Sequence, residues 1–143
     1  MKKIIDDISI VLAGEAGQGM QVIGNILATL LKKSGYNFFL TSEFMSRVRG
    51  GTNSTEIRVS SFPVSGFVDR IDVLIPLHKG AMEHLKKRIT NETVIIGEGG
   101  KIDFAGIAND LGNAILTNTV AAGFLCGIMK IDKGECESFI KEY

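Results

Sequence analysis

Short apolar strands alternating with amphipathic helices, a glycine-rich turn directly after the first strand, and an even charge balance predict an α/β domain. The expected architecture is three layers, α/β/α, built on a mostly parallel sheet. With 143 residues, 45% of them hydrophobic and 22% charged, the chain has the length of one domain and an ordinary globular composition. A domain of this size buries about 68–70% of its unfolded surface, enough for a core without disulfide or metal staples. The 16 basic and 16 acidic side chains cancel, so no net field draws nucleic acid or an anionic membrane.

The first strand is read at Ile8–Ala13, a short β-branched run bounded by glycine. Apolar residues then recur at helical spacing at Met20, Ile23, Ile26, Leu27, Leu30 and Leu31, and the helix closes on Lys32, Lys33 and Gly35. Tyr36–Thr41 reads as a second strand. Thr55–Ser60 reads as a third with one wet face, because Ile57 and Val59 alternate with Glu56 and Arg58. Ile71–Leu77 is another buried strand, Lys79–Arg88 a helix, and Thr93–Gly97 a further strand. A small-residue helix spans Asn118–Met129, and Asp132 is placed to cap a last helix reaching Tyr143. Gly123 and Gly127 lie four apart on the first of these helices, which predicts close packing on the chain's own sheet. Strand, glycine-rich turn and helix in that order make the expected sheet Rossmann-like.

Cys126 and Cys136 form no disulfide framework or cluster-binding run, and read as two reduced thiols. Asp6 and Asp7 interrupt any signal-like start, and Ala121–Met129 is about half a membrane span. A cytoplasmic protein is expected.

Gly14-Glu15-Ala16-Gly17-Gln18-Gly19 joins the first strand to the first helix. Glycines let a backbone turn sharply and approach a ligand, and a helix N-terminus offers unpaired N–H groups to an anion. The spacing is G-x-x-G-x-G, which is neither the dinucleotide fingerprint nor a P-loop. Two readings stand for it: an anionic ligand site, or a structural turn or subunit contact. Nicotinamide binding is disfavoured, because the acidic residue in the right place, Glu43, opens a different motif.

That motif is Ser42-Glu43-Phe44-Met45-Ser46-Arg47-Val48-Arg49-Gly50-Gly51-Thr52-Asn53-Ser54. Arginine forks hold carboxylate or phosphate, and glycines let a partner close in. Glu43 could instead hold an arginine internally. So much charge and glycine between strands is poor core material, so a site or an interface is the stronger reading. His78 follows a strand where open α/β sheets place ligands, and His84 lies on a helix beside Lys86 and Lys87. A surface or packing role is the simpler reading for each histidine. No metal cluster, nucleophile elbow or nucleophile–base–orienter set is evident.

The stretches "AGEAGQGMQVIGNILA" (Ala13–Ala28) and "TSEFMSRVRGGTNSTEIRVS" (Thr41–Ser60), in that order, resemble the gamma subunit or domain of 2-oxoacid:ferredoxin oxidoreductases. Arg49, Gly50, Gly51, Asn53 and Ser54 match the second family block, while Phe44 replaces its usual tyrosine. "RIDVLIPL" (Arg70–Leu77) and "NTVAAGFL" (Asn118–Leu125) extend the resemblance over nearly the whole chain.

The resemblance implies one gamma-type domain over 1–143, either truncated at its C-terminal end or a short stand-alone subunit. It implies a complex that oxidatively decarboxylates a 2-oxoacid to an acyl-CoA and passes the electrons to ferredoxin. Thiamine diphosphate and iron–sulfur clusters would sit in alpha, beta and delta partners, and this chain would be inactive alone. Its own share would be structure, interface and contacts to CoA. The residues implied for such contacts are Gly14, Gly17, Gln18, Gly19, Arg49, Gly50, Gly51 and Asn53. A stand-alone CoA- or nucleotide-binding module and a purely structural assembly domain are the competing readings.

Overall fold

The computed structural model describes residues 6–15, 20–44, 51–78, 80–97, 100–113 and 116–142. Five strands form one sheet in the order β2-β3-β1-β4-β5. They are β1 (Asp7–Glu15), β2 (Asn37–Glu43), β3 (Thr52–Ser60), β4 (Val73–Pro76) and β5 (Val94–Ile95). β4 runs parallel to β1 and β5 parallel to β4. β3 is antiparallel to both β1 and β2, so β3 alone opposes the common strand direction. The α/β layering and the mostly parallel sheet are as expected, with this one reversal.

The helices are α1 (Met20–Lys33), α2 (Gly80–Leu85), α3 (Phe104–Asp110), α4 (Thr117–Ile128) and α5 (Lys133–Glu142). α1 buries Met20, Ile23, Ile26, Leu27, Leu30 and Leu31, each large apolar side chain contributing roughly 2 kcal/mol when taken from water. It ends as its sequence predicts. Gly35 adopts φ +74°, and the Tyr36 and Gly35 N–H groups return to the Leu31 and Lys32 carbonyls. At α5, the Asp132 carboxylate accepts from Glu135 N at 3.0 Å, the expected cap.

The two faces of the sheet differ. One carries the main core, where Ile10, Leu12, Ile57 and Val59 meet α1, and Phe104, Leu125 and Met129 bring in α3 and α4. The other carries a smaller apolar cluster of Val11, Ala13, Ile71, Leu74, Ala81 and Leu85 beneath α2. β3 has no wet face, contrary to the alternation read from its sequence. Glu56 is only 7% exposed and takes a two-pronged hydrogen bond from Arg88, at 2.5 and 2.9 Å. Arg58 is paired with Asp7 at 2.8 Å and donates to the Gly66 carbonyl. The charges alternate as on a solvated face, but Asp7 at the start of β1 and Arg88 just after α2 neutralise them.

Gly123 and Gly127 also depart from expectation. Both face outward, and a methyl group on either would meet nothing within 4 Å beyond the helix's own backbone. The glycine that does bring a helix close to the sheet is Gly24 of α1, where an added methyl would sit 3.1 Å from Thr55 Cγ2 and 3.3 Å from Leu40 Cδ1. Gly24→Val is therefore expected to cost about 1–3 kcal/mol by overpacking, measured by chemical denaturation.

Asp7 receives Arg58 at 2.8 Å and Arg70 at 2.8 Å. The Arg58 hydrogen bond, joined by that of Arg70, holds its carboxyl below the usual carboxylate range against the opposing effect of burial. Its folded pKa is depressed, so its contribution is fully present above the unfolded value near 3.9 and is lost as pH falls through the folded one. Asp7→Asn should be less stable than the parent at pH 7, with the gap closing in acid below about pH 4. Paired denaturation curves across pH read this directly.

Candidate functional site

The reversal of β3 decides where the two motifs go. β1 leaves the sheet through Gly14 and Glu15, while β3 enters it through Thr52 and Asn53. The register pairs Gly14 with Asn53 and Glu15 with Thr52. Gly14, Gly51 and Asn53 thus stand at one end of one strand pair, although nearly forty residues separate the first from the other two along the chain. Gly17, Gln18, Gly19, Arg49 and Gly50 lie outside the described residues, on the segments that leave and enter this end.

Asn53 is buried on the α1 side of the sheet. Thr52 and Ser54, also buried, face the α2 side and meet a polar cluster there. β4 ends beside β1, with Leu77 N donating to the Ala13 carbonyl at 2.8 Å, and this brings His78 into the cluster. His78 Nδ1 accepts from Gly80 N at 3.1 Å, at the start of α2, while Nε2 lies 3.3 Å from Thr52 Oγ1. An Nδ1 that accepts carries no proton, so the neutral ring bears its hydrogen on Nε2 and donates it to Thr52. Glu15 Oε1 stands 4.0 Å from Nδ1. Gly80 is needed for this arrangement, since a Cβ there would come within 2.7 Å of the His78 ring. Glu43 is held by Ser54 Oγ at 3.4 Å and lies 3.6 Å from His84 Nε2.

His78 and His84 are therefore both drawn into the seam, one more closely than a surface role implies. The expected arginine partner of Glu43 falls among Arg47 and Arg49, outside the described residues. Sequence reasoning missed the link from His78 to Thr52, which only the register of two distant strands creates. It also missed α3, whose Asp103 cap accepts from Gly106 N at 2.9 Å. Asp103, Phe104, Ala105 and Thr117 line a cleft with Pro76 and Leu77 at the end of β4.

Among the described residues the α2 side of this end of the sheet carries the hydroxyls of Thr52 and Ser54, the imidazoles of His78 and His84 and the exposed carboxylates of Glu15 and Glu43, while the Asn53 amide lies on the α1 side. No group of three metal-ligating side chains is found among the described residues. Cys126 and Cys136 lie buried together away from the seam, and burial pushes the Cys126 thiol up to about 12, assisted by its hydrogen bond with Cys136.

Residues 9–143 match the family described as pyruvate ferredoxin/flavodoxin oxidoreductase. The chain belongs to that family. Among curated proteins, the 2-oxoglutarate synthase subunit KorC of Archaeoglobus fulgidus is 24% identical over 146 residues, covering 95% of this chain and 78% of KorC. The fold is shared with the 2-oxoglutarate:ferredoxin oxidoreductase of Magnetococcus marinus, solved with 2-oxoglutarate, coenzyme A and succinyl-CoA bound. That match has a TM-score of 0.82 at 22% identity and covers 99% of this chain but 27% of the Magnetococcus chain. It is shared as well with the keto/oxoacid ferredoxin oxidoreductase gamma subunit of Geobacter sulfurreducens, at a TM-score of 0.72 and 20% identity over 93% of this chain and 84% of that one. The pyruvate oxidoreductase subunit PORC of Thermotoga maritima superposes with a TM-score of 0.70 at 19% identity, covering 96% and 86% of the two chains. The chain spans about a quarter of the Magnetococcus chain. No helix among the described residues is long and apolar enough to cross a membrane.

His78→Ala removes both the acceptor at the start of α2 and the donor to Thr52. It should lower stability by about 1–2 kcal/mol, seen as a shifted denaturation midpoint. His78→Asn, which keeps a local acceptor, should recover part of that loss.

Proposed function

We propose that this chain is the gamma component of a 2-oxoacid:ferredoxin oxidoreductase complex and that the β1–β3 seam is its contact with coenzyme A. The complex oxidatively decarboxylates a 2-oxoacid to an acyl-CoA, releasing carbon dioxide and passing two electrons to ferredoxin. Thiamine diphosphate and the clusters belong to alpha, beta and delta partners, so the isolated chain is inactive. A cytoplasmic location accompanies this reading.

The observation that carries the proposal is the register that seats Gly14 against Asn53. It brings the described flanks of the two motifs, Gly14–Glu15 and Gly51–Asn53, to one end of the sheet, within a chain that matches the family over residues 9–143. Thr52 and His78, which meet on the α2 side of this end, offer a hydroxyl and an imidazole to the neutral part of such a ligand. Glu15 and Glu43 do not suit phosphate, whose charge falls to Arg49 and to the N–H groups opening α1. Coenzyme A bound to the Magnetococcus enzyme supports a CoA site in an assembly that contains this fold. A stand-alone binding module is not favoured, because residues 9–143 match the oxidoreductase family.

Tagged protein purified anaerobically from its native cells should bring its partners with it and reduce a viologen dye only when given a 2-oxoacid, thiamine diphosphate and CoA. The chain alone should show no turnover. Within the assembled complex, Arg49→Ala should leave subunit composition unchanged and raise the KM for CoA by about tenfold or more, the worth of one charge-assisted hydrogen bond. An unchanged KM would remove Arg49 from the CoA contact and leave the gamma assignment standing.

A further inference from the structure

We infer that the free edge of β2 is a self-association surface, on which two copies of this chain pair β2 against β2, antiparallel, about a two-fold axis at Leu40. This inference stands apart from the CoA reading, because the edge lies on the far side of β3 from β1.

β2 ends the sheet, and among the described residues nothing pairs with its outer side. The direction of its backbone groups follows from the register. Ser61 N donates to the Asp6 carbonyl, so alternate β3 residues from Ser61 down to Asn53 bond β1, and Ser60, Arg58, Glu56 and Ser54 bond β2. Their β2 partners are Asn37, Phe39, Thr41 and Glu43. Phe38, Leu40 and Ser42 therefore turn their N–H and C=O groups outward.

Exposed edges are usually blunted by proline, lysine, a bulge or shortness. Asn37–Glu43 has none of these, and its pairing with β3 runs without interruption. Its one charge, Glu43, stands at its end.

A two-fold at Leu40 satisfies this edge with itself. The outward groups of Phe38 meet those of Ser42 in a second copy, and Leu40 meets Leu40. Between these, Phe39 lies opposite Thr41, a favourable aromatic and β-branched pair. Glu43 lies opposite Asn37, so no like charges face each other. Phe44, 63% exposed just beyond the strand, falls opposite Tyr36.

The helices agree with the same axis. Gly24 places α1 over both Leu40 of β2 and Thr55 of β3. With strands about 4.8 Å apart, α1 lies about one strand spacing from the two-fold. The two α1 axes are then roughly 10 Å apart, a normal helix packing distance. The flank of α1 turned toward that axis carries Gln21, Ala28 and Lys32 at helical spacing. Antiparallel packing sets Lys32 near Gln21 of the second copy rather than against another lysine.

The test is sedimentation equilibrium of the full chain and two variants across a concentration series. Asn37→Glu sets carboxylates against Glu43 at both ends of the shared ladder, and Asn37→Lys sets an ammonium there. Circular dichroism would confirm that each variant folds. The parent should dimerise reversibly, with Asn37→Lys tighter and Asn37→Glu weaker, their dissociation constants about tenfold apart or more. A chain that stays monomeric would overturn the inference. So would a dimer indifferent to both changes, or an edge that gains exchange protection only when another subunit binds.

Discussion

The antiparallel pairing of β1 with β3 is the constraint on which the molecule depends. It runs from Asp7 opposite Ser60 to Glu15 opposite Thr52 without a break. Were β3 parallel to β1, a strand of this length would carry Thr52 about 30 Å from Glu15, and Gly14 and Asn53 would stand at opposite ends of the sheet. The register of that pairing sets the charged side chains of β3 on the face beneath α2.

That face carries a buried ion pair beside its apolar cluster. Arg88 donates two hydrogen bonds to Glu56 beneath the surface, and its own pKa is raised chiefly by that contact. Such a pair adds less net stability than its geometry suggests, because both charges leave water, yet removing one partner strands the other at a cost of several kcal/mol. It fixes where the turn after α2 rests on the sheet. α2 begins at Gly80 with His78 folded over its first N–H, so one short helix is tied at its start to the seam and just after its end to the middle of β3. Stability and site geometry are coupled through that helix.

The sequence shows most clearly those elements whose signals are local. β1 declares itself by a continuous apolar run, α1 by periodicity and a glycine stop, and α5 by its Asp132 cap. The glycine and arginine segments stand out in the sequence as unusual. The pairing of Gly14 with Asn53 does not, because strand direction is fixed by pairing partners far along the chain. The same limit explains β3, where Glu56 and Arg58 alternate with Ile57 and Val59 as on a solvated strand, and only distant Arg88 and Asp7 bury them. α3 spans less than two turns and buries only Phe104 and Ala108, too little for a period to show. Gly123 and Gly127 signalled close approach, but the chain's own sheet lies on the other side of α4.

If the seam is one site, residues from its two halves must act on one ligand. The direct measurement is a double-mutant cycle on the KM for CoA in the assembled complex, combining Gln18→Ala with Arg49→Ala. The pairing of β1 with β3 predicts coupling of at least about 0.5 kcal/mol, so that the double variant differs clearly from the product of the single effects. Additive effects, or a KM that responds to one half alone, would contradict a shared site at the end of that strand pair.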